Sequence, residues 1–80
     1  MYFVYILYSE KGACYYVGMS KNVLQRLKTH NKGQVRSTKS YVPWKVVHIE
    51  THATQGDARK REKYLKSAAG RRWRKKYMGM

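Results

Sequence analysis

The chain is 80 residues long, with 18 Lys and Arg against 4 Asp and Glu, a formal charge of +14 and an isoelectric point near 10.2. That length supports one modest core, so a single domain over residues 1–80 is expected, and so strong a positive charge is best tolerated where an anionic partner, nucleic acid first among them, offsets it. No stretch approaches the roughly 18 consecutive apolar residues of a spanning helix, and the short apolar run at the N-terminus lacks a basic leader, so no membrane partner and a cytoplasmic location are expected. The one cysteine, Cys14, can form no internal disulfide, belongs to no Cys/His cluster of zinc spacing, and reads as a buried, inert thiol in an apolar strand.

In chain order, Tyr2 to Tyr8 is a run of aromatic, aliphatic and β-branched residues, Ser9-Glu10-Lys11-Gly12 carries turn chemistry, and Cys14 to Gly18 is apolar again. This pattern predicts a β-hairpin. A loop at 9–12 sets Tyr8 against Ala13 and therefore Tyr5 directly opposite Tyr16, with both phenols on one face. Ser20 suits the N-cap of a helix over about 21–31, with Met19 and Leu24 at hydrophobic-staple positions and Gly33 at the stop. Val23, Leu24 and Leu27 form its apolar stripe, and Asn22, Arg26 and His30 follow one another at a spacing of four along the edge of that stripe. Residues 32–43, with Gly33, Ser37, Thr38, Ser40 and Pro43 among basic residues, read as an exposed loop, and 44–50 as a third strand. Thr54 followed by Asp57 caps a helix to about Ser67, Gly70 breaks it, and residues 71–78 add a short final helix packing Trp73 and Tyr77.

Glu62 carries the sharpest question. It falls on the stripe Ala58, Glu62, Leu65, Ala69, which faces the core in a helix packed on a sheet, and a carboxylate is out of place there. Either it is a surface acid paired with Lys66 or Arg59 one turn away, or it is functional; it is the sole acid from Ala58 to the end. A carboxylate working beside a phosphate needs a cation between them, so the functional reading implies Mg²⁺ or Mn²⁺. Arg26 is otherwise one more solvated cation and His30 a helix-end histidine favoured by the dipole. Residues 59–76 hold ten basic side chains and one acid, which suits contacts to backbone phosphates, and Trp44 and Trp73 either stack on unpaired bases or pack the core. Taken alone, these residues favour nucleic-acid binding over catalysis.

The ordered set Val4-Tyr5-Ile6, Tyr16-Val17-Gly18, Arg26, His30 and Glu62 resembles the GIY-YIG nuclease family. The likeness is to standalone single-domain members related to the N-terminal nuclease domain of the excinuclease C subunit. It covers residues 2 to 77 and includes Arg36-Ser37-Thr38-Lys39 before Pro43-Trp44. Phe3 stands where the first motif has glycine, Met19 where some members have lysine, and no assisting asparagine follows Glu62; Lys21 or Lys39 is the candidate substitute for the missing lysine.

The resemblance implies an α+β domain, β-β-α-β-α, with a three-stranded antiparallel sheet flanked by helices and, in this chain, a short extra C-terminal helix. It further implies a metal-dependent endonuclease acting on DNA, in repair, recombination or mobile-element processing. In that scheme Glu62 holds one Mg²⁺ or Mn²⁺ ion and Arg26 stabilises charge on the phosphoryl oxygens. Tyr16 is the general base, directly or by way of a metal hydroxide, Tyr5 positions it, and His30 relays a proton or contacts phosphate. Lys21, Arg36, Lys39, Arg59 and Lys63 are the expected nucleic-acid contacts. The rival reading is a non-catalytic DNA- or RNA-binding module on the same basic surface. Substrate structure and oligomeric state are left open.

Overall fold

The computed structural model describes residues 1–79. Strands β1 (Tyr2–Ser9) and β2 (Cys14–Ser20) are followed by helix α1 (Val23–Asn31), a 3₁₀ turn at Lys39–Tyr41, strand β3 (Lys45–His52) and helices α2 (Gln55–Lys66) and α3 (Ala68–Met78). The sheet is antiparallel with order β2-β1-β3. This is the expected α+β architecture.

As the central strand, β1 is covered on both faces, which explains its nearly continuous apolar sequence. Its alternation of side chains divides the core in two. Val4 and Ile6 join Val17, Ala58 and Leu65 on one face, with Trp73 packed against them, while Tyr5 and Leu7 join Val23 and Trp44 on the other. Helices α2 and α3 therefore cover one face of the sheet and α1 the opposite one.

The hairpin differs from expectation by two residues. Ser9 pairs with Cys14, Leu7 with Tyr16, and Tyr5 with Gly18 rather than Tyr16. Ala13 is drawn into the turn with a left-handed φ of 48°, where its N–H reaches the Glu10 carbonyl at 3.3 Å, and the Gly12 N–H is bonded by Ser9 Oγ at 3.2 Å. An even slip preserves the face, so both phenols still share it, as diagonal neighbours. Cys14 is half-buried rather than buried.

Helix α1 starts later than Ser20 suggested. Asn22 is the cap, its side chain accepting the Gln25 N–H at 3.0 Å, while Ser20 Oγ accepts the Asn22 N–H at 3.0 Å and so shapes the turn before the helix. The staple does not form, because Met19 packs on the α2 face of the sheet and α1 lies on the other. Leu24 is 71% exposed; the inward stripe is Val23, Leu27 and His30. Gly33, at φ 75°, ends the helix as expected.

The segment expected to be an exposed loop is anchored instead. Thr38 is buried, its carbonyl accepts the Trp44 indole N–H at 2.9 Å, and Asn31 clasps the Trp44 backbone with bonds of 2.6 and 3.0 Å. Thr54 caps α2 as expected, accepting the Asp57 N–H at 3.1 Å. The break after α2 falls at Ser67, which donates to the Tyr64 carbonyl at 2.5 Å and accepts the Gly70 N–H at 3.3 Å. Gly70 is not the break: it lies in the first turn of α3, where a Cβ would collide with the Leu65 carbonyl.

Candidate active site

Tyr5 is 1% exposed, and its ring leans across β2 at the one place where β2 offers no side chain. A Cβ on Gly18 would lie 2.5 Å from Tyr5 Oη, so the phenol occupies the space that glycine leaves. Its hydroxyl meets His30 Nε2 at 3.3 Å; His30 Nδ1 meets Thr38 Oγ1 at 2.8 Å, and Thr38 Oγ1 lies 3.3 Å from the Val35 carbonyl. The end of this chain fixes its direction. The Val35 oxygen can only accept, so Thr38 donates its one proton there and accepts from His30 Nδ1–H; Nε2 is then the acceptor, and Tyr5 donates to it.

The electrostatics agree with that direction. Burial, with the Arg26 charge adding to it, holds the His30 imidazole below its ordinary 6.5 and so keeps it neutral. Burial also pushes the Tyr5 phenol above its ordinary 10.0, against the pull of the neighbouring Arg26 guanidinium and with further upward pushes from Tyr16 and Glu62. Tyr5 is thus a neutral phenol that gives its proton to His30. His30 itself has no exposed surface, and its ring nitrogens are taken up by Tyr5 and Thr38.

Tyr16 stands beside this chain, its ring edge-on to His30 at a centroid distance of 4.9 Å, and it is only half-buried. Arg26 is exposed on α1, one turn before His30, and lines a small cleft with Ser20, Asn22, Gln25 and Thr29. Glu62 reaches the same neighbourhood from the other side of the sheet. Only one strand, about 4.8 Å, separates β1 from the rim at β2. The paired fate of this acid is visible, since Lys66 Nζ donates to it at 3.4 Å; its side chain is 19% exposed and its charge acts on Tyr5. Tyr5, Tyr16 and His30 are thus neighbours with the Arg26 guanidinium beside them, while Glu62 acts on Tyr5 by its charge from the opposite face of the sheet.

Among the described residues no three His, Cys, Asp or Glu side chains are placed to hold a metal. A single carboxylate fits Mg²⁺ as that ion is commonly held, by one or two carboxylates together with substrate phosphate and water, and does not fit an ion caged by protein alone.

The expected nucleic-acid contacts Lys21, Arg36, Lys39, Arg59 and Lys63 are all exposed but do not form one patch. Lys21 follows β2 with its ammonium 5.0 Å from the centre of the Tyr2 ring, Arg36 and Lys39 sit on the segment after α1, and Arg59 and Lys63 on α2. Sequence reasoning gave no role to Thr38, which orients His30, and did not single out Arg71 and Arg74 from the basic run 59–76, though both line a cleft with Tyr16. It also missed a polar clasp between β3 and α2. Arg61 donates to Glu50 through Nε at 2.8 Å and a terminal nitrogen at 2.9 Å, while His48 and His52 turn Nε2 toward the same carboxylate at 2.8 and 3.3 Å. Burial alone would raise the Glu50 carboxyl, but these bonds and the Arg61 charge outweigh it and hold it at about 2. The alternation His48, Glu50, His52 on one strand face was the available signal.

A strand hairpin carrying two phenols, a helix supplying guanidinium and imidazole, and a later helix supplying one acid make up this region. The GIY-YIG catalytic domain model matches residues 1–77, and the chain belongs to this family of nuclease domains. It is similar to the UPF0213 proteins of Staphylococcus aureus strains Mu3, Mu50 and N315, at 37% identity over 67 residues, covering 82% of this chain and 80% of each relative. No solved structure matches.

Proposed function

We propose that the chain is a metal-dependent endonuclease that hydrolyses phosphodiester bonds in DNA. The observation that carries this is the directional chain from Tyr5 through His30 to Thr38, which fixes a neutral phenol within electrostatic reach of Arg26, Tyr16 and Glu62. With its proton committed to His30, its oxygen beside the Arg26 guanidinium and only 1% of its surface exposed, Tyr5 is a positioning residue that holds the site from beneath and does not itself meet the attacking water. Tyr16, the more accessible of the two, acts as its phenolate and takes the water's proton as the new P–O bond forms and the P–O bond to the leaving oxygen breaks, that oxygen gaining a proton from solvent. Arg26 faces the charge that develops on the phosphoryl oxygens. His30 is a positioning residue, acting through Tyr5. Glu62 would hold one Mg²⁺ or Mn²⁺ ion, which when bound supplies positive charge at the scissile phosphate and its leaving oxygen.

The Glu62–Lys66 pair favours a second reading, a DNA- or RNA-binding module without chemistry, since an acid already paired to a lysine is a common surface motif. Nicking of a supercoiled plasmid separates the two. The endonuclease nicks with Mg²⁺ or Mn²⁺, stops in chelator, and loses nicking in Glu62→Gln while retaining DNA affinity. A purified chain that binds DNA and never nicks linear, branched or single-stranded substrates with either ion is the binding module.

A further inference from the structure

A cleft of about 520 Å³ lies between the outer edge of β2 and the corner of α2 and α3. Tyr15, Tyr16, Lys66, Arg71 and Arg74 line it, with no carboxylate among its lining residues. The Arg74 guanidinium lies over the Tyr15 ring, 4.3 Å from its centroid, which fixes the plane of the cation; its Nε is buried and has no hydrogen-bond partner. A buried donor without an acceptor costs free energy, which an anion bonded to the Arg74 guanidinium in the cleft would offset.

The acids of the chain cannot serve. Glu10 pairs with Lys45, Glu50 with Arg61, and Glu62 with Lys66, while Asp57 lies in the first turn of α2. The cleft also opens from the candidate site: it shares Tyr16 with it, and Lys66 joins the two by its bond to Glu62.

We infer that this cleft is a phosphate subsite for the nucleic-acid strand flanking the bond at Tyr16, with Arg71 and Arg74 as its ligands. The inference rests on the proposal that the Tyr16–Glu62 region receives the scissile phosphate. Arg74 offers a planar fork suited to two phosphate oxygens, and Arg71, one turn earlier on α3, stands on the same side of the cleft. The partner is a phosphodiester backbone, so the subsite adds affinity and register and reads no base.

The test is binding of a short labelled DNA duplex, and of the matching single strand, in chelator so that nothing is cut. Arg71→Gln with Arg74→Gln is compared with Lys28→Gln with Lys32→Gln, which removes equal charge from α1 and the residue after it. The cleft variant is expected to bind at least about tenfold more weakly at physiological salt and to flatten the salt slope by about 1.8, roughly 0.9 for each lost phosphate contact. Equal losses in the two variants overturn the inference. A measurement on the unaltered chain guards against misfolding of the variant: the Nε–H resonance of Arg74 should shift early in an oligonucleotide titration, and an unmoved resonance also overturns it. Because no cleavage is read, a chain that never nicks but shows these differences loses the endonuclease proposal and keeps the subsite; one that nicks with equal losses does the reverse.

Discussion

The two phenols of the hairpin are chemically unlike, because one is locked and the other is free. Tyr5 is buried, donates to His30 and rests on Gly18; Tyr16 faces the cleft. Replacing Gly18 by alanine places a methyl 2.5 Å from Tyr5 Oη, so the ring must swing away at a cost of about 1–3 kcal/mol, read as a lower melting temperature. Nicking should fall further than stability predicts, since the displaced phenol no longer meets His30. Thr38→Val keeps the shape and removes the acceptor of Nδ1–H, leaving a buried donor unpaired at about 1–3 kcal/mol. Nitrogen NMR should report a single Nδ1–H tautomer of His30 in the unaltered chain and a mixture in Thr38→Val; an Nε2–H tautomer in the unaltered chain would reverse the assigned proton direction. The resemblance had already marked Tyr5, Tyr16, Arg26, His30 and Glu62, because their order and spacing are linear information. Thr38 was not marked, since a loop threonine acquires its role only when the chain folds it onto a histidine eight residues back.

Among the elements, β3 and α2 are joined by Glu50 and Arg61 as well as by apolar contact. The Glu50 carboxyl falls from 4.5 to about 2 on folding, so its contribution is fully present above pH 4.5 and is lost as pH drops toward 2. A shift of that size corresponds to about 3 kcal/mol at most, with the side chain 18% exposed. His30 acts earlier in an acid titration. Its depressed value means that below 6.5 the unfolded chain takes up the proton first, so stability begins to fall from there. Denaturant melts across pH should therefore show two losses, the one starting near 6.5 absent in His30→Gln and the one between 4.5 and 2 absent in Glu50→Gln. Strand and helix identities were legible throughout, since alternation and capping chemistry are local. The boundaries were less so. Ser20 and Asn22 both offer capping oxygens, and Ser67 outcompetes Gly70 as a break only because its hydroxyl serves α2 and α3 together.

For the molecule as a whole, the charge of +14 sets two responses to salt that oppose each other. Added salt screens the repulsion among exposed cations, so the free protein should melt higher as ionic strength rises from low to physiological. The same salt should weaken DNA binding steeply, through loss of counterion release. Melting curves with and without oligonucleotide should thus converge as salt increases. Parallel curves would show that binding is not carried by phosphate contacts.

Composition and periodicity were enough to establish a small basic α+β domain with one sheet, and motif order was enough to place it among nuclease domains. Both depend on near neighbours along the chain, where propensity, alternation and charge count can be read directly. Folding settled where the Tyr5 hydroxyl points, why His30 is sealed from solvent, and where Arg71 and Arg74 form a cleft beside Tyr16. Those outcomes come from burial and from hydrogen bonds between distant residues, as from Tyr5 to His30, and no local pattern encodes the dielectric or the partner that a side chain meets there.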